Sequence, residues 1–350
     1  MGLLRARSAP PAPRTHLVFR WDLDKTYLKS EFETLRDMVR IPFEKAEDKV
    51  AAPGVAALIR ALRESALGRG RTIRVHFVSA SPPQIGRAIR RKLELDGIVY
   101  DGIIFKNQLQ RLFRGKFRHL REQVGYKLTE LLKARKEEPP TAREYLFGDD
   151  WESDPLIYSL YADIVAGRVD TVELAAILRA VRVDPPLIDQ ACALAAAIQP
   201  VDAVARIFIN LARRTPPAHL RAYGGRLVPA FNYLQTAACL YDADVLSAAG
   251  AVQVARSLLE DSSYTPERLL NSLADVVRRG HLRPAANAEL REALGKAGIV
   301  AAAAPPTRLT RLRHWWAGQR RLPAPVAPAV PVIDYRTMVG LEIPADAAGE

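Results

Sequence analysis

The sequence predicts a doubly wound parallel α/β sheet followed by an α-helical C-terminal domain. Two observations carry this reading. Up to residue 180, short β-branched or aromatic runs alternate with amphipathic helical text. Beyond it, alanine-rich apolar segments separated by Pro-Pro pairs take over. Strands that alternate with helices imply parallel pairing, because a parallel connection must cross back over the sheet.

HLVFRWDLD (16–24) reads as the first strand, and PGVAALIRALRESAL (53–67) as a helix with Pro53 near its first turn. TIRVHFVSA (72–80) is the next strand, and PPQIGRAIRRKLELDG (82–97) a helix stopped by Gly97. DGIIF (101–105) is a short strand. YKLTELLKARKEE (126–138) places Leu128, Leu131 and Leu132 on one helical face. REYLFGDD (143–150) is a strand, DPLIYSLYADIVAG (154–167) a helix, and RVDTVELAAIL (168–178) reads as a strand running into irregular chain. Helices are expected at 187–199, 201–214, 227–260, 266–280 and 287–297, divided by Pro185-Pro186, Pro216-Pro217 and Pro305-Pro306. The expected organisation is a flexible N-terminus (1–15), an α/β domain (16–180) with a small insertion at 27–52, a helical domain (181–321) and a Pro-rich extended tail (322–350).

The 350 residues are 49% apolar and 26% charged, ordinary globular usage that excludes wholesale disorder. Mean hydropathy is −0.08, and no apolar run reaches the roughly 18 residues of a spanning helix. MGLLRARSAPPAPRTH lacks the apolar stretch of a secretory signal, and Ala6 stands where myristoylation needs Ser or Thr. Cys192 and Cys239 are too few for a disulfide framework and suit a reducing compartment, so a cytoplasmic location is expected. The net charge is +12, and residues 1–150 hold 30 basic against 19 acidic side chains, +11 of that total. Such a surface attracts polyanions, whether nucleic acid, anionic lipid or phosphorylated metabolites.

Four features at proposed element ends carry candidate chemistry. Asp22-Leu23-Asp24-Lys25-Thr26 closes the first strand. Asp22 there can serve as nucleophile and metal ligand, and Asp24 as general acid/base. Ser79 and Ser81 close the second strand before a helix N-terminus, where backbone N–H groups favour an anion. Lys127 opens a long helix and can neutralise a phosphoryl oxygen. Asp149, Asp150 and Asp154 gather carboxylates as a hard divalent cation such as Mg²⁺ requires. Singly, each has a plainer reading: Asp-x-Asp is common, serine before Pro82 caps helices, Lys127 fits a solvated face, and Asp154 fits an N-cap. What distinguishes them is their order, each at an element boundary.

That order resembles the motif order of the haloacid dehalogenase-like phosphatase superfamily. Within it, LKSEFETLRDMVRIPFEKAEDKVAAPGVAALIRAL, VHFVSASPPQI and YLFGDDWESDPLIYSLYADIVAGRV are similar to the catalytic domain of actin-patch-type phosphatidate phosphatases, over residues 17–175. The resemblance implies a haloacid dehalogenase-like fold and Mg²⁺-dependent phosphomonoester hydrolysis through an aspartyl-phosphate. It implies Asp22 as nucleophile, Asp24 as acid/base, Thr26 as orienter of that loop, Ser79 as phosphoryl-binding hydroxyl and Lys127 as charge neutraliser. Metal would be held by Asp22, the Asp24 backbone carbonyl, Asp149 and Asp154; Asp150 and Ser81 are additional candidate site residues. Lys25 stands where the family usually has a third aspartate, and Asp150 where it usually has serine.

Other features are less specific. His76 reads as a core residue of its strand or one that supports the site from behind, and His119 as a surface one. RLTRLRHWWAGQRRL (308–322) interleaves five arginines with Trp315 and Trp316, which suits helix packing, a lipid interface or nucleic-acid stacking. The expected partner is a phosphorylated substrate, foremost phosphatidate or a related membrane phospholipid, met by peripheral contact with the membrane. Two other readings stand beside it: a nucleic-acid end phosphatase or binder using the basic stretch 106–121, and a non-catalytic scaffold whose helical domain recruits a partner.

Overall fold

The computed structural model describes residues 15–23, 26–28, 51–79, 86–105, 116–151, 153–300 and 332–342. The proposed N-terminal arm, most of the 27–52 insertion, Asp24, Ser81, most of the basic stretch 106–121 with the His119 side chain, and the Arg/Trp segment 308–322 lie outside them.

Six strands form one sheet: β1 (His16–Asp22), β2 (Thr72–Ser79), β3 (Gly102–Phe105), β4 (Arg143–Asp149), β5 (Val204–Asn210) and β6 (Leu227–Ala230). Their order is β3-β2-β1-β4-β5-β6, and every neighbouring pair is parallel. The helices are α1 (Val55–Gly68), α2 (Gly86–Leu95), α3 (Lys116–Lys136), α4 (Asp154–Val165), α5 (Thr171–Ala180), α6 (Pro185–Ala196), α7 (Tyr233–Asp242), α8 (Ala248–Leu259), α9 (Pro266–Arg278), α10 (Pro284–Lys296) and α11 (Tyr335–Glu342).

Side-chain alternation along the strands divides the core into two layers. Leu17, Phe19, Trp21, Tyr145, Phe147, Phe208 and Val228 pack with α1, α2 and α7–α10. Leu146, Ile207, Ile209 and Leu227 pack with α3–α6 and α11. A sheet covered on both faces has little polar surface to show in its sequence, which explains why its strands read as near-continuous apolar runs.

The second half of the chain departs from expectation. The described residues of the expected helical domain, 181–300, do not stand apart from the sheet, because 204–210 and 227–230, both read as helix, extend the first-half sheet as β5 and β6. Helices α7–α10 then cover the same face as α1. Conversely, 168–178 is not a strand: Asp170 accepts the Glu173 N–H at 2.8 Å and caps α5. The tail is not wholly extended either. Within it α11 buries Tyr335, whose hydroxyl donates to Asp163 at 2.5 Å.

One buried polar cluster braces the centre of the sheet. Arg20 on β1 donates to Glu144 on β4 at 2.9 Å, Arg135 of α3 reaches the other Glu144 oxygen at 3.0 Å, and the Tyr161 hydroxyl of α4 donates to Glu144 at 2.8 Å. All four side chains are buried. Burial pushes the Glu144 carboxyl up, but the Arg20 and Arg135 guanidiniums and the Tyr161 hydroxyl outweigh it and hold it below its ordinary 4.5. Its contribution is therefore present above pH 4.5 and is lost as pH falls through the lowered value. Removing one partner of a buried ion pair costs about 3–5 kcal/mol, since the remaining charge is stranded. Glu144→Gln is expected to lower urea-unfolding stability by about that amount at pH 7, and to make the variant less acid-sensitive than the wild type. A loss below about 1 kcal/mol would show the cluster is not a brace.

Candidate active site

The sheet order reverses between β1 and β4: the chain winds outward through β2 and β3 on one side, and through β5 and β6 on the other. Two crossovers leave in opposite directions there, opening a crevice beyond the carboxyl ends of the strands. Asp22 closes β1 and Asp149 closes β4, so sequence and winding bring both carboxylates to that crevice. Asp154 enters from the first turn of α4 and Lys127 from α3.

All four side chains are buried, none more than 1% exposed. The Lys127 ammonium lies 2.8 Å from Asp22 Oδ1 and 2.8 Å from Asp154 Oδ1, and so bridges them. Asp22, Asp149 and Asp154 each offer a carboxylate oxygen, all within 4.8 Å of one another. Two like charges at that separation repel by about 3–4 kcal/mol at the effective dielectric of a protein site. Three hard oxygen donors converging in a buried pocket fit a hard divalent cation, which relieves that repulsion.

Backbone groups fix the carboxylates. The Trp151 N–H donates to Asp149 Oδ1 at 2.6 Å, and the Asp149 N–H donates to Asp154 Oδ2 at 3.3 Å. The second bond needs Gly148. A Cβ there would stand 2.4 Å from Asp154 Oδ2 and 2.6 Å from Asp154 Cβ, so any side chain expels the carboxylate. Beneath the cluster, Trp21 stacks on Phe147 at 3.7 Å and 4°, clamping the ends of β1 and β4 together.

Two tyrosines join the site. The Tyr158 hydroxyl donates to the Phe147 carbonyl at 3.3 Å, and the Tyr233 hydroxyl to the Thr26 carbonyl at 2.6 Å. Burial first, then neighbouring carboxylates (Asp154 for Tyr158, Asp149 and Asp22 for Tyr233), raise both phenols well above 10 and keep them as donors. Tyr158 lies four residues after Asp154, a helical spacing legible in the sequence. Tyr233 arrives from α7, within text read as one long helix, and nothing local to it pointed here.

The structure thus brings Asp22, Lys127, Asp149 and Asp154 together, with the Thr26 backbone held nearby by Tyr233. Ser79 ends β2, buried, one position beyond Val78, the register partner of Asp22. Asp24 and Ser81 lie outside the described residues. Asp150 is not in the carboxylate cluster. Its two oxygens accept the Arg213 and Thr215 N–H groups at 2.7 and 2.9 Å, tying the loop after β5 to the loop after β4. His76, whose ring nitrogen lies 3.5 Å from Glu138, sits beside the Arg20 cluster rather than at the site.

Residues 21–177 match the family described as "Phosphatidate phosphatase APP1, catalytic domain". No curated protein sequence and no solved structure matches the chain. The matched segment is less than half of the chain, but it holds Asp22, Ser79, Lys127, Asp149 and Asp154. As that family implies, the chain is a phosphoric monoester hydrolase.

Gly148→Ala tests the cradle. Displacing Asp154 is expected to weaken divalent-cation binding at least tenfold by isothermal calorimetry, while the Arg20 cluster stays intact. Unchanged cation binding in the variant would mean that Asp154 is not a ligand.

Proposed function

We propose that the chain is a Mg²⁺-dependent phosphatidate phosphatase that works through an aspartyl-phosphate on Asp22. The observation that supports this most is the buried convergence of Asp22, Asp149 and Asp154 around the Lys127 ammonium, inside a segment matched to a phosphatidate phosphatase catalytic domain. The six-stranded parallel sheet with its carboxylates at the switch point fits a haloacid dehalogenase-like domain.

Asp22 presents a carboxylate oxygen to the phosphorus, held by its contact with Lys127. The bond from Asp22 oxygen to phosphorus forms as the bond from phosphorus to the lipid oxygen breaks. Asp24, two residues on, gives its proton to the departing alkoxide, which leaves as diacylglycerol. Asp24, now a carboxylate, takes a proton from water, which attacks the same phosphorus. The Asp22–phosphorus bond breaks, and inorganic phosphate departs. Lys127 neutralises phosphoryl oxygens in both steps, and the Ser79 hydroxyl donates to one of them. Asp22, Asp149, Asp154 and the Asp24 carbonyl would hold a Mg²⁺, which would supply positive charge to offset repulsion between carboxylate and phosphoryl group. Stabilisation here is mainly electrostatic, so losing Asp22 is the most damaging single change.

Phosphate release from phosphatidate in mixed micelles is expected to require Mg²⁺ and to stop in EDTA, and Mg²⁺ is expected to raise Tm. Full turnover in EDTA would refute the metal requirement. The two aspartates separate by chemistry. Acid/base assistance contributes about 10²–10⁴-fold, but an aryl phosphate needs little protonation to leave. Asp24→Asn is therefore expected to form a phospho-enzyme from an aryl phosphate and hydrolyse it slowly, whereas Asp22→Asn forms none. Intact-protein mass spectrometry after rapid quenching reads the added phosphoryl mass. A phosphoryl group on any other residue of Asp22→Asn would identify a different nucleophile.

A further inference from the structure

The carboxyl ends of β4, β5 and β6 lie level, because Asp149 pairs with Asn210, and Asn210 pairs with Ala230. Aromatic and basic residues stand just beyond these ends: Trp151 after β4, Arg213 and Arg214 after β5, and Phe231 after β6. All four are exposed. Trp151 and Phe231, each 43% exposed, are the two aromatic members of the exposed large apolar side chains among the described residues. An arginine stands over each ring, Arg213 at 5.5 Å from Trp151 and Arg279 at 5.7 Å from Phe231. Between Asp202 and Asp242 the chain has five arginines and no acidic residue. Asp150 holds the Arg213–Thr215 loop against the Trp151 loop through two backbone N–H groups, so the rim is built rather than incidental. Arg214 keeps a positive φ of 62°, a conformation costly for a residue with a side chain.

We infer that this rim, Trp151, Arg213, Arg214 and Phe231, docks the enzyme on an anionic bilayer with the carboxylate crevice facing the lipid headgroups. Exposed aromatic rings beside arginines suit the boundary between headgroups and acyl chains, and the arginines complement anionic lipid. Neighbouring strands are about 4.8 Å apart, so the rim stands within two strand spacings of Asp149, the reach of a lipid headgroup. The inference rests on the lipid substrate proposed above and adds the surface that meets the membrane.

The test uses the full chain and sedimentation with phosphatidylcholine vesicles, with and without phosphatidylserine. Phosphatidylserine is a phosphodiester, so binding is read apart from turnover. The variant is Arg213→Gln/Arg214→Asn/Phe231→Ala. It leaves Trp151, whose N–H holds Asp149, and asparagine tolerates the left-handed backbone at 214. Each arginine near an anionic surface is worth about fivefold in binding, and the buried ring about tenfold more. Phosphatidylserine-dependent binding is expected to fall at least tenfold, with turnover of a soluble aryl phosphate retained. Unchanged vesicle binding would overturn the inference. So would binding that is lost instead with Trp315→Ala/Trp316→Ala, or an equal fall in binding of a single-stranded oligonucleotide. Wild-type protein that binds vesicles through this rim yet releases no phosphate from phosphatidate would leave the docking surface standing and refute the proposed reaction.

Discussion

Lys127 is the residue on which the site depends. Its ammonium lies 2.8 Å from both Asp22 and Asp154, within a cluster whose three carboxylates would otherwise repel one another in a buried pocket. The rest of the centre of the fold serves that arrangement. The Arg20–Glu144–Arg135–Tyr161 cluster ties β1 to β4 one step below it, and the Trp21–Phe147 stack closes the gap between. Rigid support of this kind is what electrostatic catalysis needs, because groups already oriented need no reorganisation as charge develops.

The added half of the chain builds the same domain. β5 and β6 bury β4 as an interior strand, and α7–α10 cover the face that holds Trp21 and Phe147. Through Tyr233, α7 also grips the backbone at Thr26, so the loop after Asp22 is fastened by a residue more than two hundred positions away. The matched family segment ends at residue 177, before any of this. The sheet edge beyond that segment supplies Arg213, Arg214 and Phe231 of the rim beside the crevice, next to Trp151 from within it.

The first half of the fold was legible because its punctuation is strong. Each strand from β1 to β4 ends in turn or capping text, and the helices between them show clear apolar faces. The site was legible for the same reason: Asp22, Asp149 and Asp154 each sit at an element boundary, where side chains reach beyond the sheet. The second half misled because alanine serves helix and buried strand alike. IFIN within 207–210 carries the β-branched and aromatic content of a strand, but it lies in alanine-rich text with no alternation, as expected for a strand covered on both faces. At 168–178 the branched residues suggested a strand, yet Asp170 followed by Glu173 is an N-cap signature that settles the segment as helix. Asp150 stayed a further candidate in the sequence, since only the fold shows that its oxygens face the Arg213–Thr215 loop. Gly148 is conspicuous only once Asp154 is seen lying against it.

The central claim is that Asp22 is the atom donor to phosphorus inside a three-carboxylate cation site organised by Lys127. A crystal structure of the full chain grown with Mg²⁺ and beryllium fluoride, a mimic of a bound phosphoryl group, tests it most directly. The account requires the fluoride adduct on the Asp22 carboxylate and a cation among Asp22, Asp149 and Asp154. An adduct on another side chain, or a cation bound away from those three aspartates, would contradict it.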